Sequence, residues 1–159
     1  MTSSILIVSV ENVLVHVKSG DRYPRNIADF IPDYNLWYAI KFFGPSEIWV
    51  VENYDVTSHP DNIGSHETKL AFISKWLSQM TNIPCRHLYS LRGNFIPGWG
   101  YEGDDDLVDL ILRFIEVKNP NLLYTGNDIN YYKSRNINTI TPEEFISKYN
   151  KNPRIYEKK

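Results

Sequence analysis

Ile5-Leu6-Ile7-Val8-Ser9-Val10-Glu11-Asn12-Val13-Leu14-Val15, followed by Lys18-Ser19-Gly20-Asp21-Arg22-Tyr23-Pro24, decides how this chain is read. The unbroken apolar run Ile5–Val8, rich in β-branched residues, reads as a strand covered on both faces. That is the pattern of a parallel sheet; a half-exposed strand would alternate. The polar pair Glu11-Asn12 stands where the strand gives out. In open α/β sheets ligands gather outside the carboxyl ends of the strands, so chemistry is expected there. A second apolar run, Val13 to Val17, breaks at Ser19-Gly20.

Working outward, Arg22 to Pro32 reads as a loop. Asp33 reads as the N-cap of a helix over 34–43 with Trp37, Ile40 and Phe43 inward, and Gly44-Pro45-Ser46 stops it. Glu47 to Val51 is a second buried strand, giving out at Glu52-Asn53-Tyr54. After a turn-rich stretch, Ser65 reads as the N-cap of a helix whose apolar face holds Leu70, Phe72, Ile73, Trp76, Leu77 and Met80. Cys85 to Tyr89 is a third strand. The acids Glu102, Asp104, Asp105 and Asp106 precede an apolar helix over 107–115, at the end where the macrodipole favours negative charge. Asn121 to Thr125 is a strand before Gly126-Asn127-Asp128, and Ile137 to Ile140 a short final one. Thr141-Pro142-Glu143-Glu144-Phe145 is a capping box with Pro at the first helical position. Strands alternating with helices predict an α/β fold, three layers (α/β/α) around a central parallel sheet.

Composition bounds the rest. The 159 residues suit one domain over 1–149, with a basic tail at 150–159 holding Lys151, Arg154, Lys158 and Lys159. A chain that is 42% hydrophobic and 14% aromatic can bury enough surface to offset its ordering entropy. A net charge of −2 leaves no electrostatic footprint for nucleic acid. The single cysteine, Cys85, excludes an intramolecular disulfide and a cysteine-rich zinc site, and reads as core packing. His59 and His66 read as loop residues in preference to metal ligands. With no signal peptide and no apolar run of ~18 residues, a soluble intracellular, cytoplasmic protein without a membrane span is expected. Abundant Asn, Ile, Tyr and Lys fit the AT-rich coding sequence of a virus or low-GC microbe.

The layout resembles the haloacid-dehalogenase-like (HAD-like) phosphatases, and among them the 3′-phosphatase domain of polynucleotide kinase-phosphatases. That family ends its first strand in Asp-x-Asp-Gly-Thr-Leu and follows it with Lys-Ser-Gly, an aromatic-Pro pair, and an aromatic after an Asp. Here the counterparts are Lys18-Ser19-Gly20, Tyr23-Pro24 and Asp29-Phe30, and the family's Thr-Pro-Glu-Glu-Phe recurs at 141–145. The resemblance runs in order from Ile5 to about Tyr149 and implies a Rossmann-type fold with a minimal cap or none.

The catalytic letters depart from the pattern. Ser9 stands at the nucleophilic Asp and Glu11 at the acid/base Asp. Glu52 replaces the phosphate-holding Thr of a Thr-Asn pair whose Asn is kept as Asn53. Ile96 replaces the lysine, within Arg92-Gly93-Asn94-Phe95-Ile96-Pro97-Gly98-Trp99, and Asn127 replaces the magnesium-binding Asp, with Asp128 next to it. The family chemistry needs a carboxylate nucleophile, a second carboxylate, a lysine and acids that hold Mg²⁺. The resemblance therefore implies a phosphatase homologue that has lost activity and serves as a binding or scaffolding module. It would need no cofactor, and would meet a protein partner or a nucleic-acid end. Two alternatives stay open. One is a Mg²⁺-dependent phosphatase on nucleic-acid 3′ ends. The other is a PIN- or flap-like nuclease using Glu11, Asp105 and Asp128. Lys18, Arg92, Lys133 and Arg135 are candidate phosphate or nucleic-acid contacts. Tyr23, Trp99, Tyr131 and Tyr132 are candidate stacking residues, for which packing is the preferred reading.

Overall fold

The computed structural model describes residues 4–10, 13–17, 30–55, 63–92 and 121–150. Five strands form one parallel sheet: β1 (Ser4–Ser9), β4 (Glu47–Asp55), β5 (Cys85–Arg92), β6 (Asn121–Thr125) and β7 (Asn138–Ile140), in the order β5-β4-β1-β6-β7. Two further strands, β2 (Val15–Val17) and β3 (Phe30–Pro32), pair antiparallel as a separate ribbon. The helices are α1 (Tyr34–Phe43), α2 (Ile63–Thr81), α3 (Ile129–Ser134) and α4 (Pro142–Tyr149).

β1 sits in the middle because both its faces are apolar. Leu6 and Val8 face one layer with Ile48 and Val50, against Leu36, Trp37, Ala39 and Ile40 of α1, Leu70, Ile73 and Leu77 of α2, and Phe145 of α4. Ile5 and Ile7 face the other with Trp49, Val51 and Tyr124, against Tyr132 of α3 and Ile137. The expected α/β architecture with a central parallel sheet is what the structure has. The cap expectation falls on connections outside the described residues, as do the acidic stretch 102–106, the helix expected over 107–115 and the tail beyond Asn150.

Just beyond β1 the N–H groups of Val13, Leu14 and Val15 all approach the Val10 carbonyl at 3.0–3.2 Å. The Leu14 carbonyl then accepts from the Trp37 indole N–H at 2.7 Å and from the Asp33 N–H at 2.9 Å. These bonds tie the ribbon to α1. Asp33 caps that helix through the Leu36 N–H at 3.2 Å, and Gly44, at φ +66°, closes it in the left-handed conformation.

Four expectations need correction. Phe30-Ile31-Pro32, read as loop, is β3: its ladder partner is the short β2, and a two-stranded ribbon tolerates Pro32 at its end. Ser65 is not a cap but lies inside α2, which starts at Ile63. β4 does not stop at Val51 but runs on to Asp55, because β5 continues to pair with it as far as Arg92. α3 was missed, since six residues are too few for a helical period to show.

Thr141 forms the expected N-cap, with the Glu144 side chain turned to its hydroxyl. Thr141 Oγ1 accepts from the Glu144 N–H at 3.1 Å and lies 2.9 Å from Glu144 Oε1. Thr141→Ala is expected to lower stability by about 1 kcal/mol in chemical denaturation. Cys85 is half-buried, and burial pushes its thiol up to about 12, which makes it a packing residue and not a nucleophile at neutral pH.

Candidate functional site

Strand order places the end of β1 where the connections part, with β4 on one side and β6 on the other. In open parallel sheets this is where a crevice forms. The last register pairs of β1 are Ser9 with Val51 and Val8 with Thr125. Ser9, Glu52 and the Gly126-Asn127-Asp128 turn therefore share the carboxyl edge of the sheet.

They do not converge on one point. Side chains alternate along a strand, so Ser9 follows Ile7 onto the α3 face. There its Oγ is hydrogen-bonded to the Tyr124 hydroxyl at 2.5 Å. Each oxygen also accepts a backbone N–H, Ser9 from Asn127 at 3.3 Å and Tyr124 from Asp128 at 2.9 Å. Ser9 is buried, and Tyr124 is completely so, its ring stacked on Tyr132 with centroids 3.7 Å apart. Burial pushes the phenol up to about 12, against the pull of the Ser9 and backbone hydrogen bonds, and the nearby Asp128 carboxylate adds to the rise. At neutral pH Tyr124 is an uncharged phenol and cannot act as a base for Ser9.

The turn that closes this corner depends on Gly126. Its φ is +153°, outside the range of L side chains, and a Cβ there would fall inside the van der Waals shell of Ser9 Oγ and 2.6 Å from Ser9 Cβ. The backbone of the turn thus lies directly against the Ser9 side chain, leaving no room for a substrate atom between them.

Glu52 follows Ile48 and Val50 onto the opposite face. There it pairs with Lys69 of α2 at 3.2 Å, with side chains only 10% and 6% exposed. Lys69 also lies 5.8 Å from the centre of the Phe30 ring in β3. Sequence reasoning passed over Lys69, although a signal was present. It stands four residues before Ile73 on the apolar stripe of α2, where a lysine must find a buried partner.

Other candidates are dispersed. Lys133 is exposed near the end of α3, and Arg135 is its half-buried C-cap. The helix runs back from the Asp128 turn towards Asn138, which pairs with Leu123, so the backbones of Lys133 and Arg135 stand roughly 7 and 10 Å along its axis from Asp128. Arg92 closes β5 opposite Asp55, four residues past the level of Val51, or ~13 Å along the strand. Asn53 pairs in the backbone ladder with Ser90. Tyr131 and Tyr132 pack edge-on and join the core, in line with the packing reading. Glu11, Lys18, Tyr23, Ile96, Trp99, Asp105 and His59 lie outside the described residues.

At the Ser9 corner the described residues offer a neutral hydroxyl, a neutral amide and one carboxylate, Asp128. Glu52, at the same edge, is held by Lys69. Among the described residues no three His, Cys, Asp or Glu side chains are grouped to hold a metal, and no helix is long and apolar enough to cross a membrane.

No protein-family profile matches this chain, and no curated protein does. Among solved structures it is similar to a protein from Mesorhizobium loti assigned as a HAD-like phosphatase. The two superpose with a TM-score of 0.64 over 86% of this chain and 70% of the other, at 11% sequence identity. At that identity the likeness concerns the fold: this chain folds like a HAD-like phosphatase.

Proposed function

We propose that this protein is a polynucleotide 3′-phosphatase-like member of the HAD-like group that no longer performs the family chemistry and serves as a binding or scaffolding module. The observation that carries the reading is the Ser9 corner. The residue at the nucleophile position is a buried hydroxyl, bonded to a buried neutral phenol and to the Asn127 N–H, with the Gly126 backbone against it. A serine hydroxyl is weakly nucleophilic unless a base within hydrogen-bond reach takes its proton. Its neighbour Tyr124 holds its own proton to about 12. Glu52, where the family places a phosphate-binding hydroxyl, contributes negative charge already paired with Lys69.

The experiment is phosphate release from a 3′-phosphorylated oligonucleotide with Mg²⁺, run on the natural protein, on Ser9→Asp/Asn127→Asp, and with intact DNA and RNA plus Mn²⁺. The expected result is no release and no strand cleavage by the natural protein. Phosphate release would overturn the reading in favour of an active phosphatase. Strand cleavage lost in Asp128→Ala would favour the nuclease.

A further inference from the structure

The two edges of the sheet differ. β7, on one side, is three residues long and presents few backbone groups, whereas β5, on the other, runs for eight. Long edges are liabilities that proteins shorten, cover or use. Among the described residues β5 pairs with β4 alone. The register fixes which of its groups that leaves. Cys85 stands opposite Ile48, whose N–H donates to the Pro84 carbonyl at 2.9 Å. In a parallel ladder alternate residues turn both backbone groups to the same neighbour, so Arg86, Leu88 and Ser90 face β4. The N–H and C=O groups of Cys85, His87, Tyr89 and Leu91 therefore point away from the sheet.

A cavity of about 360 Å³ lies against this strand, lined by Trp49 and by Cys85, Arg86, His87 and Leu88. Side chains alternate between the faces of a sheet, so one cavity touching four consecutive residues runs along the backbone of β5. Its apolar part is Trp49, buried in the same layer that Leu88 packs against. The Arg86 guanidinium stands 5.8 Å from the centre of that indole. It also lies 3.6 Å from Glu47, yet its side chain is 61% exposed. From Asn82 to Arg92 the chain holds Arg86, His87 and Arg92 and no acidic residue.

We infer that β5 is a strand-addition site: it takes an extended segment of a protein partner, with a large apolar residue in the cavity and an acidic residue beside Arg86. The outward ladder sets the class of occupant, because a series of alternate N–H and C=O groups is matched by another extended backbone. In that mode main-chain bonds supply affinity and a side-chain pocket beside the strand supplies selectivity. The cavity at Trp49 and Leu88 is such a pocket. The cations along the strand call for acid in the partner. A second copy pairing through its own β5 would add another Arg86, His87 and Arg92 to a strip without acids, which disfavours self-pairing. The inference holds whether or not the Ser9 corner is inert.

The test is a display selection of short random peptides on the full chain. Selected peptides are measured by fluorescence anisotropy, and amide exchange of ¹⁵N-labelled protein is followed with and without them. The expected result is enrichment of peptides with a large apolar residue and a Glu or Asp on the same face of a strand. Methylating the backbone nitrogen of alternate peptide residues should weaken binding at least about ten-fold, while methylation of the residues between them is tolerated. His87→Pro, which removes one outward N–H and leaves the β4 ladder intact, should weaken it similarly. Arg86→Ala alters an exposed side chain, so it folds, and it should lose the preference for acid. The His87 and Tyr89 amides should exchange fast in the free chain and slow on binding, while those of Arg86 and Leu88 stay protected throughout. The inference is overturned if nothing is enriched, if the effect of methylation does not alternate, or if Arg86→Ala keeps the preference for acid. Slow exchange of His87 and Tyr89 in the free chain overturns it too. That result would assign the edge to the chain's own segments, or to a second copy where sedimentation shows a dimer.

Discussion

Lys69→Met is expected to destabilise the protein by about 3–5 kcal/mol, a large part of the ~5–15 kcal/mol that holds a typical domain together. The cause is the carboxylate left behind. Glu52 sits in β4 with its side chain 10% exposed, and the ammonium of Lys69 is 3.2 Å away. Removing the cation leaves a negative charge out of water without its counter-charge, and that costs more than the pair ever contributed. The double variant Glu52→Leu/Lys69→Met should recover most of the loss, because an apolar pair in an apolar layer removes both desolvation costs. Denaturation midpoints of the two variants check this. If the single substitution is neutral, the pair is not buried as described, and the Glu52 side chain is available to solvent and ligands.

Gly126→Ala should cost about 3 kcal/mol, with overlap contributing ~1–3 kcal/mol and backbone strain a similar amount. The overlap is with the Ser9 side chain and the Tyr124 hydroxyl, so Ser9→Gly/Gly126→Ala should restore part of the stability. The strain remains, since φ stays near +153° whatever faces the new methyl group. Partial rescue is thus the specific expectation. Full rescue would assign the whole cost to the Ser9 contact, and no rescue would assign it to the backbone and the Tyr124 overlap.

Much of the fold was legible because its signals are local. Asp33 three residues before an N–H it can cap, Gly44 after the last apolar turn, and Thr141-Pro142 before Glu144 each act within a few residues. The run Ile5–Val8 announced a strand buried on both faces, and it is the centre of the sheet. β3 escaped because Phe30-Ile31-Pro32 is too short for alternation to show, and its existence depends on β2, thirteen residues back from Phe30 to Val17. The site was legible as a set of edge positions but not as two separate clusters. Ser9 and Tyr124 are 115 residues apart, and only the β1–β6 register, Ile7 opposite Tyr124, brings their hydroxyls together. Likewise the sequence placed Glu52 at a phosphate position, while strand parity turns it to the α2 face, where Lys69 meets it.

The central claim is that the carboxyl edge beside Ser9 is filled by the protein's own groups and receives neither Mg²⁺ nor phosphate. It is tested most directly by following the Asn127 and Asp128 amide signals of ¹⁵N-labelled protein while Mg²⁺ and then tungstate, a phosphate mimic, are added to millimolar concentration. Both amides donate to the Ser9–Tyr124 pair, at 3.3 and 2.9 Å, so anything entering the corner must move them. The account predicts that they hold their positions throughout. Saturable shifts of both would mean that the corner opens and binds a metal–anion pair, and would contradict it.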